Sequence, residues 1–331
     1  MPPATPRDAA TVVVVRESVS GGPEVLLLQR AERGDHNSGA WVFPGGLVDP
    51  GDRVDEALAF QRAALRECFE ECGILLARDG SGAWPVLDAG TRTELAALRD
   101  AVASGATTIE SVCRRFGLEP AYDTLHFIAH WLTPMGRAKR FDTRFFVAVV
   151  PRGQEALHDA RETLDHVWIS PAEALSPRNG RRLMPPTRAT LEQLLPLDSA
   201  QTVQAWAAQP RTVERILPRL AVDASGVRPV QPHEPAYDEV ARLDPEGRCD
   251  VWCELRPGVE VRLGERVSRI VREDGTNRYF VDGVEVGTDH PTLVAEDRVA
   301  IARDAESLPA GMRVAAEWIA PHCGFLRRVR R

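Results

Sequence analysis

The segment from residue 54 to 76 presents two opposed faces, and this constrains the fold more than any other feature of the chain. At about 100° per residue, Leu65, Phe69, Cys72 and Leu76 gather on one side of a helix. Glu67, Glu70 and Glu71 gather on nearly the opposite side, because positions three and four apart are helical neighbours. Asp52 is placed as the N-cap of this helix, and Gly73 lies near its end. Three carboxylates this close repel one another unless a cation neutralises them. Hard oxygen donors at that density suit Mg²⁺, with Mn²⁺ as the other candidate, and not zinc.

The flanks are strand-like. Residues 11–17 and 25–30 are β-branched or apolar runs split by Ser20-Gly21-Gly22-Pro23, which predicts a strand pair with a turn. Residues 40–43 form a further short strand, stopped by Pro44-Gly45-Gly46. The two glycines allow a tight turn where backbone can approach a metal or a phosphate closely. Such an arrangement can bridge a diphosphate and lower the pKa of a bound water for in-line attack. One glutamate is then left as general base. A Glu-rich face alone is more often plain solvated surface. The combination of strand, Phe43-Pro44-Gly45-Gly46, helix and Arg66-Glu67-Cys68-Phe69-Glu70-Glu71-Cys72-Gly73-Ile74 decides against that reading.

These residues resemble the Nudix box: Gly, five residues, Glu, seven residues, then Arg-Glu-apolar-x-Glu-Glu-x-Gly-apolar. The second half matches from Arg66 to Ile74. The first half departs: Gly46 and Arg66 are twenty positions apart, six more than the standard spacing, and Leu58 stands where the early Glu belongs. Asp49, Asp52, Asp55 and Glu56 lie in the lengthened loop, and none is assigned that role. A lengthened box is similar to that of the peroxisomal coenzyme A diphosphatase branch and its bacterial relatives. Three more features resemble that branch: Leu26-Leu27-Leu28-Gln29-Arg30 before Gly39-Ala40-Trp41-Val42-Phe43, a helical insertion after the box, and Trp131-Leu132-Thr133-Pro134 before Arg140-Phe141-Asp142-Thr143-Arg144.

The resemblance implies a Nudix α/β/α sandwich, with Glu67, Glu70, Glu71 and Arg66 as catalytic residues. It implies metal ligation by Glu67, Glu70, Glu71 and Gly46, with Glu162 as the further acid before the last core strand and Asp165 second. Arg30, Arg140, Arg144 and Gly45 are the candidates for holding substrate phosphates, since a guanidinium matches two phosphate oxygens at once. Trp131 and Phe141 are candidates to stack on a base, although core packing is the commoner fate of such residues. The leading substrate is coenzyme A or acyl-CoA, cleaved to 3′,5′-ADP and a 4′-phosphopantetheine product. A broad nucleoside diphosphate-X hydrolase acting on ADP-ribose, NADH or a nucleotide sugar stays open. So does a non-catalytic module that senses a nucleotide.

Organisation follows from pattern and breakers. Residues 77–120 read as an insertion with helices near 93–103 and 108–116. Strands resume at 125–132, 145–150 and 166–169, a helix opens at Pro171, and helical material continues over 187–195 and 203–208. The Pro-rich stretch 210–235 reads as a linker, giving domains at 8–209 and 236–331. The latter is expected to be small and β-rich, alternating over 259–286 around Asp274-Gly275 and Asp282-Gly283 turns. It faintly resembles the lead-in that joins metallo-β-lactamase to Nudix domains, but no His-x-His-x-Asp-His run follows. His290, His322 and Cys323 are therefore expected to be structural or surface residues, and dimerisation is a possible role for this domain.

Composition sets outer limits. With 331 residues and a net charge of −7, nothing marks nucleic acid as a bulk electrostatic partner. Cys68 and Cys72 lie in the helix, and Cys249 and Cys253 have no second pair to complete a zinc site. Neither a disulfide framework nor a membrane partner is expected. The run Val12–Val15 is too short for a signal segment, and Arg328-Val329-Arg330-Arg331 is no peroxisomal address. A cytoplasmic location is the expectation.

Overall fold

The computed structural model describes residues 4–31, 39–134, 139–150, 154–157, 163–223, 226–243, 251–255, 269–272, 279–281, 284–286, 313–318 and 323–330. Its contacts divide into two compact units. One comprises Arg7–Trp131 and Phe141–Arg215, the other Met1–Pro6, Leu132–Arg140 and Ile216–Arg331. Among the described residues no helix is long and apolar enough to cross a membrane.

The first unit is built on β1 (Arg7–Glu17), β2 (Pro23–Arg30), β3 (Trp41–Val42) and β4 (Gly45–Leu47), followed by α1 (Ala59–Cys72). Then come β5 (Ala77–Asp79), α2 (Ala89–Ala103), α3 (Ile109–Arg115), β6 (Leu118–Pro120), β7 (His126–Leu132), β8 (Phe141–Val149) and β9 (Thr163–Ile169). Helices α4 (Pro171–Leu175), α5 (Pro185–Leu194) and α6 (Ala200–Ala207) complete it, with a short β10 (Arg215–Ile216) after them. The strand order is β7-β8-β1-β2-β3, with β4 paired to β1 and β9 to β2. The predicted pair is present: β1 and β2 are antiparallel with Val15 opposite Val25, joined by a turn in which the Ser18 N–H donates to the Gly22 carbonyl at 2.8 Å.

Both faces of this sheet are covered, which explains why β1 reads as an unbroken apolar run instead of alternating. Val12 and Val14 share a core with Leu26, Leu28, Phe146, and Ala63, Leu65 and Phe69 of α1. Val13 and Val15, equally buried, point to the opposite side, and α6 packs against β1, β2 and β8. The arrangement is the expected α/β/α sandwich. The predicted insertion is also present: its helices bury Leu95, Val102, Ile109, Val112 and Cys113 in the same core as α1. Arg62 of α1 pairs with Glu110 of α3 at 2.9 Å, and the Tyr122 hydroxyl donates to Glu110 at 2.6 Å, fixing α3 to α1.

Two local expectations are corrected. The helix is shorter than 54–76: it runs from Ala59 to Cys72 and stops at Gly73, whose φ of 70° is left-handed and whose N–H donates to the Phe69 carbonyl. Leu76 is buried but lies beyond the helix. Asp52 is not its N-cap; it sits in a separate 3-10 turn, Pro50–Val54, and Leu58 occupies the cap. Second, the short strand does stop before Pro44, but the two glycines are not a turn: Gly45–Leu47 is a strand of its own that pairs antiparallel with β1, Gly46 opposite Ala10.

The second unit contains β11 (Arg219–Asp223), β12 (Gly226–Val230), α7 (Tyr237–Leu243), β13 (Val251–Leu255), β14 (Arg269–Arg272), β15 (Tyr279–Val281), β16 (Val284–Val286), β17 (Arg313–Trp318) and β18 (Cys323–Arg330). They form one sheet in the order β12-β11-β13-β18-β17-β14-β15-β16, the β-rich character expected. Part of the stretch 210–235, read as a linker, is the antiparallel hairpin β11–β12. The turns expected at 274–275 and 282–283, together with His290, His322 and Cys249, lie outside the described residues. Cys68, Cys72 and Cys113 are free thiols.

The segment after β8 is tied to the end of α1. Gln154 is buried, its Oε1 accepting from the Leu75 N–H at 2.9 Å and its Nε2 donating to the Leu75 carbonyl at 3.0 Å. Gln154→Leu keeps the volume but leaves both backbone groups without partners, which costs about 1–3 kcal/mol. A lowered thermal midpoint and faster hydrogen exchange of the Leu75 amide are expected; an unchanged midpoint would show that water replaces the lost bonds.

Candidate active site

Arg66 projects from α1 into a nest of acceptors. Its Nε lies 3.2 Å from Asp52 Oδ1; its Nη2 donates to Asp52 Oδ2 at 2.9 Å and to the Leu47 carbonyl at 2.8 Å. Its Nη1 reaches Glu67 at 3.0 Å and Glu70 at 3.3 Å. The side chains of Arg66, Asp52, Glu67 and Glu70 are 13%, 7%, 15% and 13% exposed, so the cluster is largely withdrawn from water. Asp49, at 3.8 Å, is the outer member. The six extra positions of the lengthened box are thus accommodated by the 3-10 turn, which delivers Asp52 beneath Arg66.

The glycines of β4 bring backbone against the same helix. The Gly45 N–H donates to Glu71 Oε2 at 2.9 Å. A Cβ on Gly46 would stand 2.3 Å from Glu67 Oε1, so only glycine lets this strand approach the carboxylate so closely. The glycines thus approach the helix carboxylates from a strand, not from the turn expected from sequence.

Four carboxylates share one guanidinium, and the charges respond. Burial pushes Glu67 up from 4.5 to about 7, against the pull of Arg66 and with a further push from Glu70. Burial likewise raises Glu70, again opposed by Arg66. Burial works against the charge on Arg66, but the hydrogen bond to Asp52 and the charges of Glu67, Asp52 and Glu70 outweigh it, so Arg66 stays protonated. The excess of hard, buried oxygen donors fits a divalent cation such as Mg²⁺. In the geometry described, however, Glu67 and Glu70 turn to Arg66 and Glu71 to Gly45. No group of three acidic, His or Cys side chains among the described residues is arranged to hold an ion. Receiving one requires Glu67 and Glu70 to rotate off Arg66.

The remaining candidates separate. Arg144 faces the α1 side of the sheet: it pairs with Ala10, which pairs with Gly46, and its guanidinium lies 3.7 Å from the Phe60 ring centre. Arg30 ends β2 half-buried, opposite Thr163 of β9. Arg140 is 4% exposed and committed to the carbonyls of Thr133, at 2.9 Å, and Ala4, at 3.1 Å, which makes it a backbone tether. Asp165 is exposed and accepts from its neighbour His166 N–H. Trp131 is buried in β7, as core packing requires, and Phe141 begins β8 half-buried. Glu162 lies outside the described residues. Sequence reasoning missed Asp52 as the partner of Arg66; the available signal was an acid placed where the lengthened loop must return to the helix. Arg99 of α2 was missed too: it donates from Nη2 to the Glu70 carbonyl at 2.8 Å.

Residues 49–189 match the family model described as the NUDT19 Nudix domain. The chain is 29% identical to the acyl-coenzyme A diphosphatase NUDT19 of Gallus gallus, covering 70% of this chain and 80% of that one. It is 26% identical to the Homo sapiens protein of the same name, covering 66% and 73%. A Nudix hydrolase crystal structure from Alicyclobacillus acidocaldarius superposes with a TM-score of 0.51 at 28% identity, covering 61% of this chain and 96% of that one.

The elevated Glu67 makes a pH test possible. Between its ordinary 4.5 and about 7 the folded chain holds a proton that the unfolded chain has released. Folding stability from this group therefore falls as pH rises through that window. In metal-free protein the thermal midpoint should drop between about pH 5 and about pH 8, and Glu67→Gln should flatten the drop, by about 1–3 kcal/mol at the upper end. Parallel, unflattened curves for the two proteins would mean that Glu67 ionises freely.

Proposed function

Because the chain carries a Nudix hydrolase domain, we propose that it is a divalent-metal-dependent diphosphatase acting on coenzyme A or acyl-CoA. Water cleaves the P–O–P bridge, giving 3′,5′-ADP and 4′-phosphopantetheine or its acyl form. One observation carries the reading: an acid-faced helix held against β4 glycines, in a chain similar over 70% of its length to a protein named acyl-coenzyme A diphosphatase. We assign the activity to residues 8–209.

Glu67, Glu70 and Glu71, with the Gly46 carbonyl and Glu162, would hold an ion such as Mg²⁺, which when bound draws charge from the diphosphate oxygens and acidifies water. Arg66 ties the helix to the Leu47–Asp52 segment through Asp52 and the Leu47 carbonyl, so the helix backbone keeps its place while Glu67 and Glu70 turn towards the ion. Arg144, held over Phe60, and Arg30 are assigned to grip the phosphates. Arg140 is left out of this role because it is buried and its Nε and Nη1 donate to backbone carbonyls. The proton of the attacking water passes to one of the three glutamates.

The test is a Mg²⁺-dependent turnover screen over CoA, acetyl-CoA, ADP-ribose, NADH and a nucleotide sugar, with products identified by mass. Release of 3′,5′-ADP from CoA is expected, and Glu70→Gln should reduce it by about a hundredfold or more. Among Gln variants of the three glutamates, the one that keeps metal binding but loses turnover marks the base. Turnover of ADP-ribose or a sugar nucleotide instead would retain the chemistry and overturn the substrate. Tight nucleotide binding with no turnover would point to a sensing module.

A further inference from the structure

The last carbonyls of a helix have no partners within it, and their dipoles leave negative charge at that end. For α1 this is an acute problem, because its final turn carries Glu70 and Glu71. Three of these carbonyls have identified partners. Phe69 accepts from the Gly73 N–H at 2.9 Å, and Cys72 accepts from the Leu157 N–H at 2.9 Å. Glu70 accepts from Arg99 Nη2 at 2.8 Å, a residue of the inserted helix α2.

Arg99 is not a surface arginine that happens to reach across. It lies on the stripe of α2 that includes the buried Leu95 and Val102, four residues after the first and three before the second. Its Nε is buried and has no hydrogen-bond partner among the described residues. Its Nη1 stands 3.5 Å from the place a Cβ would take on Gly73, so the open side of that left-handed glycine is filled by the guanidinium. The helix end, the glycine and the arginine fit one another, and a positive charge meets the negative end of the helix where the glutamates project.

We propose that Arg99 is a positioning residue for the acid-faced helix, holding the final turn of α1 so that Glu70 and Glu71 can share an ion; this rests on the diphosphatase reading. The inserted segment thereby contributes to metal binding without touching the metal. Without the guanidinium the Glu70 carbonyl loses its partner, and the turn bearing two of the three carboxylates frays.

The experiment compares wild type, Arg99→Lys and Arg99→Met. Mn²⁺ binding is followed by electron paramagnetic resonance, and kcat and KM are measured on CoA. Arg99→Met should weaken Mn²⁺ binding and lower kcat by about tenfold, as loss of an outer-shell partner does, while Arg99→Lys retains most of both. If Arg99→Met fails to fold, Arg99→Gln, which keeps a donor but not the charge, is read in its place. A variant whose thermal midpoint falls while Mn²⁺ affinity per folded molecule is unchanged overturns the proposal, since the role is then only structural. Wild type that binds Mn²⁺ but leaves CoA intact overturns the substrate reading alone, and the Mn²⁺ comparison still decides Arg99. Wild type that neither binds Mn²⁺ nor turns over substrate overturns both.

Discussion

Arg66 is the interaction on which the site depends. A guanidinium offers its donors in a rigid planar fork, and here each nitrogen is used: Nε and Nη2 on Asp52, Nη2 also on the Leu47 carbonyl, and Nη1 on Glu67 and Glu70. The fork joins three pieces of chain, the end of β4, the Pro50–Val54 turn and the acid-bearing side of α1, of which β4 and α1 are also linked by the Gly45–Glu71 bond. A lysine could satisfy one or two of these acceptors but could not hold the turn and the helix in one plane. Removing the charge would strand Asp52, which is 6% exposed, as an uncompensated buried carboxylate, a change that costs about 3–5 kcal/mol.

One guanidinium does not balance four acids, and the imbalance links structure to function. Glu67 answers it by titrating at about 7, that is, by keeping a proton when no cation is present. A divalent cation would answer it differently, by replacing the proton and leaving Arg66 to Asp52 and the Leu47 carbonyl. The two solutions compete for the same oxygens. The site as described therefore concentrates carboxylate charge that a bound cation would relieve.

Legibility in the sequence followed the range of the interactions. The faces of α1 were readable because helical periodicity is local, and its stop was readable because Gly73 supplies a left-handed residue. The strands β1, β2, β7 and β8 were readable from their apolar runs. The start of α1 was not: an Asp before a helical pattern looks like a cap, but Asp52 belongs to a separate 3-10 turn, where it accepts from the Asp49 N–H and pairs with Arg66. Nor was β4 readable, since Gly45-Gly46-Leu47 has no strand propensity and pairs only because Ala9, Ala10 and Thr11 are presented alongside. The hairpin over Arg219–Asp223 and Gly226–Val230 was hidden for a similar reason. Prolines that signal a break locally are tolerated in a short strand, and Pro229 sits in one opposite Leu220.

Two departures from the shorter pattern, the lengthened loop before α1 and the insertion after it, meet the same helix at two places, its middle and its last turn. The loop delivers Asp52 to the side chain of Arg66, at the first of the clustered acidic positions. The insertion delivers Arg99 to the main chain of Glu70, at the last turn. Gln154 and Leu157, from the segment that leads towards β9, brace the chain just beyond. Helix ends fray first, and carboxylates that must converge within a few tenths of an ångström tolerate little fraying. An added segment that buries Leu95, Val102, Ile109 and Val112 in the core of α1 gives that helix a wall to rest on as well as a cap. The insertion is thus a packed support for α1 and not a separate appendage.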